Sequence, residues 1–302
     1  MALLLAVSFF AAKSDRFLVA DNGSLILQQV MVVGVLAVGQ TLVILTAGID
    51  LSNGASMALG QIVMTKLATQ GGASPLVALA MGVLTCAAFG LLNGTLVTRI
   101  RMPPFIVTLG TLNIAFALTH IYSNDESFAG LPDALTFLGR TFTVGPTELT
   151  YGVVAMLVVF GVTWYALTQT AWGRHVYAVG DSPGAARLSG IHTDRVLLSV
   201  YSLAGFVYGV AAILLVARTE VGDPNAGLTD NLDSITAVVL GGTSLFGGRG
   251  SVLGTLLGAL IVGVFRNGLT LIGVDAIYQT LTTGVLVILA VSVDQLTQSR
   301  QR

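Results

Sequence analysis

The sequence has little charge for its length. Only 10% of its 302 residues are Asp, Glu, Lys or Arg, whereas a soluble domain has about a quarter. Hydrophobic residues make up 54% of the chain, and the mean hydropathy is +0.85. These values exclude an ordinary soluble domain and predict a polytopic membrane protein. The 36 glycines fit membrane helices that pack closely through small residues.

Lysine and cysteine are also scarce. Neither of the two lysines, Lys13 and Lys66, follows a glycine, so the chain lacks the Gly-Lys-Ser/Thr of a nucleotide-binding P-loop. The single cysteine, Cys86, excludes an intrachain disulfide, and the three histidines lack metal-ligand spacing. We therefore expect no catalytic residues, no metal and no cofactor. Any ATPase that drives this chain would be a separate polypeptide.

Apolar runs divide the chain into ten segments. The first, at residues 1–12, is too short to cross a bilayer, which needs about 20 residues, so we expect a shortened first helix or a start further upstream. The eighth, at 232–246, is also short. The expected fold is an all-α polytopic membrane protein with about ten transmembrane helices, one of them short or re-entrant. The other runs lie at 26–48, 55–69, 75–98, 104–122, 151–168, 196–217, 251–272 and 276–293.

Glycines mark the short eighth segment and the expected helix contacts. The cluster at 247–250, which reads GGRG, has two interpretations. Either the segment is a broken or re-entrant helix, which is tolerated only against protein or a water-filled cavity, or a tight glycine turn joins two helices there. Three GxxxG pairs predict close helix packing within a bundle or a dimer. The pairs are Gly90 and Gly94, Gly205 and Gly209, and Gly254 and Gly258.

The placement of arginine and lysine sets the expected orientation. With both termini in the cytoplasm, the inside loops hold most of the arginines and the outside loops most of the acidic residues. The inside arginines are then Arg99, Arg101, Arg174, Arg187, Arg195, Arg249, Arg300 and Arg302, against Lys13, Arg16, Arg140 and Arg218 outside.

Polar residues inside membrane segments are candidates for function. Asp50, in the turn GIDLSNG, is either a helix N-cap or a substrate ligand. Arg266 is either a structural partner of a neighbouring helix or a snorkelling residue, or else a functional group, and Asp233 begins the short eighth segment. Interhelical hydrogen bonds explain most of the uncharged polar residues, and a hydrophilic solute path would use a few. Our candidates for that path are Gln40, Asp50, Asn93, Thr111, Asn113 and Asn267.

The most polar long interval is residues 170–194, between two apolar runs. Ser182 can cap a short helix, Pro183 fits its first position, and Gly190 fits the position just past its end. A helix of about one and a half turns is marginal alone in water. The interval is therefore either an ordinary loop with a helical turn or a helix that packs against another chain.

Four motifs, taken in order, resemble the permease subunits of monosaccharide ABC importers, the family of the ribose permease. They are GIDLSNG, PPFIVTLGT, WGRHVYAVGDSPGAARLSGI and ITAVVLGGTSLFGGRGSVLGTLLGALI. The segment NLDSITAVVLGG is similar to the corresponding segment of the fructose-importing branch. The chain departs from the family pattern at two positions, since Asn53 stands where a valine is common and Asn231 where a glutamate is common.

The resemblance implies a permease that is not itself an enzyme. It implies one transmembrane domain over residues 1–302, with a cytoplasmic coupling loop at 169–195, in the bacterial inner membrane. The implied partners are a second permease copy, a cytoplasmic ATP-binding subunit, a periplasmic sugar-binding protein and membrane lipid, without nucleic acid. The segment that would dock into the ATPase contains Ser182, Pro183, Ala185, Ala186, Arg187, Leu188 and Gly190.

The predicted function is therefore the membrane-spanning subunit of an ATP-driven importer for a monosaccharide such as ribose or fructose. One alternative is an ion-coupled secondary transporter of a small polar solute, which would use Asp50 or Arg266. Two inverted halves with matching broken helices would favour that alternative, and the sequence has no convincing internal repeat. A channel or structural protein is a further alternative. The capped helix at 182–190 favours the importer.

Overall fold

The computed structural model is almost entirely helical and describes residues 2–145, 147–227 and 229–299. Arg300 and Arg302, which we expected on the cytoplasmic side, lie outside the described residues. The helices are α1 (Ala2–Lys13), α2 (Ala20–Leu45), α3 (Asn53–Thr69), α4 (Pro75–Arg99), α5 (Pro104–Ser123), α6 (Asp133–Thr136), α7 (Tyr151–Gln169), α8 (Ala171–Asp181), α9 (Pro183–Leu188), α10 (Thr193–Thr219), α11 (Asp230–Leu240), α12 (Val252–Leu271) and α13 (Ala276–Ser299).

The connection between α5 and α7, expected as a mixed loop, contains a small β-hairpin. Strand β1 (Thr141–Val144) pairs antiparallel with β2 (Thr147–Thr150). Both strands are rich in threonine, whose branched side chain favours extended backbone. Ser24 of α2 donates a hydrogen bond to the Glu148 carbonyl oxygen and so fixes the hairpin on the helices. Apart from this hairpin, the described residues confirm the all-α prediction.

Six helices of the described chain are long and apolar enough to cross a membrane, namely α2, α4, α5, α7, α10 and α12. The multi-pass membrane fold is thereby confirmed, but the count of about ten spans is not. α3 has 17 residues, α1 has 12 and α11 has 11. At about 1.5 Å per residue, these three helices fall short of a hydrocarbon core of about 30 Å.

The central helix of the bundle is α2. Every side chain from Val30 to Leu45 is buried, because α7, α10, α11 and α12 pack around it. This stretch is apolar on nearly all sides, as expected of a helix that is surrounded by protein. The equally long α10 packs along both α2 and α4.

The GxxxG pairs serve contacts within one chain. Where α4 crosses α10, a Cβ on Gly90 would overlap the Tyr201 carbonyl oxygen and crowd the backbone of Gly205. The backbones of the two helices therefore touch directly, which only small residues allow. Gly254 and Gly258 bring α12 equally close to the backbone of α11.

The eighth apolar segment, predicted at 232–246, lies in α11 up to Leu240, and a nonhelical stretch precedes that helix. Residues 221–227 run beside α3 without helical structure. Gln61 of α3 donates a hydrogen bond to the Asp223 carbonyl oxygen, and Gly227 lies against the Met57 side chain. The nonhelical stretch is thus covered by protein.

The glycine cluster at 247–250 belongs to the connection between α11 and α12. These two helices pack as neighbours and run antiparallel, since Gly241 lies beside Gly254 and Ala237 beside Gly258. The two helices are thus joined by a connection at residues 241–251, which is longer than the tight glycine turn of one interpretation. The nonhelical stretch before α11 lies at a position that the cluster at 247–250 did not mark.

Close packing at the crossing of α4 and α10 makes Gly90 intolerant of substitution. We expect Gly90→Ala to lower the free energy of unfolding by about 1–3 kcal/mol, the usual cost of overpacking, because the added methyl group meets backbone. Gly161→Ala on α7 is the matched control, since a Cβ there has no neighbour within 4 Å. Thermal unfolding of the detergent-purified variants measures the difference. Equal melting temperatures would contradict the prediction.

Candidate functional site

The polar interval at 170–194 begins with a helix that we did not anticipate. α8 starts after Thr170, whose hydroxyl accepts a hydrogen bond from the Gly173 amide at 3.2 Å. Its buried face consists of Gly173, Val176, Val179 and Gly180, a helical spacing. The interval is therefore mostly helix, with one amphipathic segment against the bundle.

The short helix α9 has the predicted beginning and end. The Ser182 hydroxyl accepts a hydrogen bond from the Ala185 amide at 3.3 Å, and Pro183 occupies the first position. Gly190 has φ +83°, a left-handed conformation that favours glycine just past a helix. The predicted caps of α9 are therefore observed at both of its ends.

Most of α9 faces outward. The Leu188 side chain is 93% exposed, and Ala185 is exposed beside it. Ala186, in contrast, is buried and holds α9 on the bundle, so its side chain is not presented to a partner. Arg187 donates a hydrogen bond to the Thr193 hydroxyl at 3.2 Å and thereby ties α9 to the start of α10.

The end of α8 touches two other connections of the chain. A Cβ on Gly180 would overlap the carbonyl oxygen of Leu45 at the end of α2. The same carbonyl oxygen accepts a hydrogen bond from the Gly248 amide at 3.0 Å, and the Tyr177 hydroxyl donates to the Gly250 carbonyl oxygen at 3.0 Å. α8 therefore lies in direct contact with the end of α2 and with the connection between α11 and α12.

A buried hydrogen-bond network surrounds the turn between α2 and α3. Asp50 Oδ1 accepts from the Ser52 amide at 2.8 Å and from the Ser52 hydroxyl at 2.6 Å. Asn93 of α4 donates to the Ser52 hydroxyl oxygen at 2.9 Å, and Thr111 of α5 donates to Asn93 Oδ1 at 2.8 Å. All four side chains are buried. Asp50 thus orders the turn before α3, and it is Ser52 that directly precedes the helix.

A second branch of the network joins α2, α3 and α11. Asn53 Nδ2 donates to Gln40 Oε1 at 3.2 Å and to the Ser234 hydroxyl oxygen at 2.8 Å. Asn231 Nδ2 donates to the Leu51 carbonyl oxygen at 3.3 Å. The two departures from the importer pattern, Asn53 and Asn231, therefore act at the same contact between α3 and α11.

Some polar atoms at this turn lack a hydrogen-bond partner among the described residues. They include the hydroxyl oxygen of Tyr201, whereas the Tyr208 hydroxyl lies within hydrogen-bonding reach of the Asp50 carboxylate. Both tyrosines belong to α10, are buried, and are close enough to interact electrostatically with the Asp50 carboxylate. Gly48 and Gly39 lie directly against their side chains. An ordered water or a rearranged turn would satisfy these atoms.

Two candidates for the solute path lie elsewhere. Asn113 donates to the Leu109 carbonyl oxygen of its own helix at 2.9 Å. Asn267 of α12 donates to Asn22 Oδ1 of α2 at 2.9 Å. The structure therefore brings together only Gln40, Asp50, Asn93 and Thr111.

An ion-pair cluster lies between α11 and α12. Arg266 Nη1 is 3.1 Å from Asp233 Oδ2 and 3.8 Å from Asp230 Oδ1. Arg218 of α10 interacts electrostatically with Asp230 and Arg266. Arg266 thus has a partner on a neighbouring helix, as one of its two interpretations predicted, although 49% of its side chain remains exposed.

Sequence reasoning missed residues whose partners are remote along the chain. The spacing of Gly173, Val176 and Val179 was a usable signal for α8. No local pattern marks Ser234, because its role depends on Asn53, 181 positions away.

Comparison with known proteins gives consistent matches. Residues 23–291 match the family model described as branched-chain amino acid transport system / permease component. The chain is 46% identical to the fructose import permease protein of Rhizobium meliloti, over 97% of this chain and 83% of that protein. It is 38% identical to the ribose import permease protein of Bacillus subtilis, over 98% of this chain and 91% of that protein.

A further relative is the ribose import permease protein of Escherichia coli K12, with 40% identity over 97% of this chain and 92% of that protein. No solved structure matches the chain with significance. The family model covers most of the chain, and the relatives align over nearly all of it. The chain therefore belongs to this family of transport permease components, together with the monosaccharide import permeases that its four motifs resemble.

Proposed function

We propose that the chain is the membrane-spanning permease subunit of an ATP-driven monosaccharide importer in the bacterial inner membrane. The names of the fructose and ribose import permeases support the solute class, and the 46% identity makes fructose the first sugar to test. The observation that carries the coupling mechanism is α9, a capped helix that exposes Leu188 in a chain without a P-loop.

The proposed assembly contains two permease copies, a cytoplasmic ATP-binding subunit and a periplasmic sugar-binding protein within membrane lipid. The arginine bias favours a cytoplasmic position for the coupling loop at 169–195 and for both termini. The single domain over residues 1–302 then has ten membrane segments. These are the six long helices, α1, α3, α13, and the composite span of residues 221–240.

The proposed mechanism passes force through the contacts of α8. Closure of the ATPase subunits displaces α9, and α8 moves with it. Because Gly180 lies against the Leu45 carbonyl oxygen, the movement reaches the turn between α2 and α3. Through Tyr177 and Gly250, it also reaches the connection between α11 and α12. The two permease copies then alternate between outward-open and inward-open states.

The exposed leucine of α9 provides a test of coupling. We expect Leu188→Asp to weaken binding of the ATPase subunit by about 2 kcal/mol, or roughly thirtyfold in Kd, as for a central interface residue. ATP-dependent uptake should fall in parallel, because a carboxylate replaces an apolar contact. Co-purification with the ATPase and uptake by proteoliposomes measure the two effects.

Gln169→Asp is the matched control for this experiment. Gln169 is an exposed residue at the end of α7 and lies outside α9, so its variant should bind the ATPase normally. Unchanged binding by Leu188→Asp would show that α9 is not the docking helix. Uptake that follows a proton or sodium gradient without ATP would instead support secondary transport.

We further propose that the network around Asp50 fixes the turn that receives the force. Its members are hydrogen-bonded to one another and buried, an arrangement that favours positioning over direct solute binding. Asn93 is the central member, because it bonds both Ser52 and Thr111.

Substitution of Asn93 tests this positioning role. We expect Asn93→Leu to lower the free energy of unfolding by about 1–3 kcal/mol, the cost of leaving buried polar groups unsatisfied. Asn113→Leu is the control, since Asn113 bonds only within its own helix and should keep wild-type stability. Thermal unfolding and uptake are measured together. Loss of uptake by Asn93→Leu at an unchanged melting temperature would favour direct solute contact instead.

A further inference from the structure

A cavity of about 350 Å³ lies between α11, α12 and α13. Its walls contain both ends of an ion pair, Asp233 and Arg266, together with Thr280 and Thr283 of α13. Phe265 adds an aromatic surface. This mixture of charged, hydroxyl and apolar groups differs from the closed network around Asp50, because the cavity is open.

The ion pair of Arg266 favours contact with water over contact with lipid in this cavity. Arg266 lies five residues before the last residue of α12, or about 7.5 Å from that end of the helix, and therefore near the edge of a hydrocarbon core of about 30 Å. Half of its side chain is exposed, and charged groups at a membrane span face protein or water.

The size and the chemistry of the cavity suit a small polyol. Small-molecule sites have volumes of about 300–1,000 Å³ and combine apolar walls with a few placed polar groups. Each sugar hydroxyl both donates and accepts hydrogen bonds, so a carboxylate beside a guanidinium matches it. Phe265 and Val262 provide apolar surface for the C–H face of a sugar ring.

Arg266 has donors to spare for such a ligand. Its contacts with Asp233 and Asp230 both use Nη1, whereas a guanidinium has five N–H donors. The ion pair holds the group in place, and the formal charges of Arg266 and Arg218 together balance those of Asp230 and Asp233. A neutral solute would therefore meet oriented donors and acceptors without a strong net charge.

We propose that this cavity is a monosaccharide-contact site on the translocation path, in which the Asp233–Arg266 pair binds sugar hydroxyl groups. The inference rests on the proposed function and deepens it. It places the solute path along α11, α12 and α13. The Asp50 turn is then assigned to force transmission and not to solute binding.

Single cysteines provide a clean test, because the only native cysteine, Cys86, is buried. Thr280→Cys places a thiol in the cavity. Thr95→Cys on α4 is the matched control, since Thr95 is partly exposed and both threonines donate to the carbonyl oxygen four residues earlier, at 3.2 Å for Thr280 and 2.7 Å for Thr95. Thr95 lies on a membrane span away from the cavity.

The probe is a positively charged, membrane-impermeant methanethiosulfonate, applied to the full complex in proteoliposomes. We expect Thr280→Cys to react roughly tenfold faster than Thr95→Cys, because the reactive thiolate forms in water and not in lipid. Fructose or ribose delivered by the binding protein should slow the reaction of Thr280→Cys at least about threefold by occupying the cavity.

The possible outcomes separate this inference from the function on which it rests. Equal reaction rates for the two cysteines would show that the cavity is not on an aqueous path. Fast reaction without protection by either sugar would overturn the sugar contact. ATP-dependent uptake by the wild-type complex is measured first. Its absence would refute the proposed importer, whereas its presence with an unreactive Thr280→Cys would refute only the assignment of the cavity.

Discussion

Backbone polar groups at membrane depth need partners within the protein, and the rest of this structure depends on that constraint. Two connections break the helices inside the bundle, at residues 46–52 and before α11. The Ile49 carbonyl oxygen accepts from the Thr108 hydroxyl at 2.9 Å, and the Leu51 carbonyl oxygen accepts from Asn231. The side chains of Thr108 and Asn231 thus satisfy backbone groups that the break at residues 46–52 leaves without helical partners.

These breaks also make mechanical coupling possible. A continuous helix transmits force along its axis, whereas a turn held by a few hydrogen bonds has a second arrangement available. The Leu45 carbonyl oxygen lies against Gly180 on one side and accepts from Gly248 on the other. A shift of α8 cannot be absorbed there by a flexible side chain, because both contacts involve backbone. This backbone contact suits the proposed transmission of force from α8 to the turn between α2 and α3.

Much of the fold could be predicted from the sequence, because long apolar runs and capping residues are local signals. Such patterns predict the capping residues of α9. They also predict the apolar runs that form the six long helices α2, α4, α5, α7, α10 and α12. The nonhelical stretch at residues 221–227 could not be predicted, since it is stabilised by α3 rather than by neighbours in sequence. The same reason explains why Asn113 and Asn267 were grouped with Asn93. Composition shows that a residue is polar, but only the fold shows which polar residues meet.

The two departures from the importer pattern are explained by the same distinction. A valine at position 53 has no donor for Gln40 or Ser234, whereas Asn53 bonds both. An ionised glutamate at position 231 only accepts hydrogen bonds, whereas Asn231 donates to the Leu51 carbonyl oxygen. Both changes therefore add a donor at the contact between α3 and α11. These hydrogen bonds join the turn before α3 to α2 and α11, so this contact favours rigidity. The proposed solute contact lies elsewhere, in the cavity that Asp233 and Arg266 line.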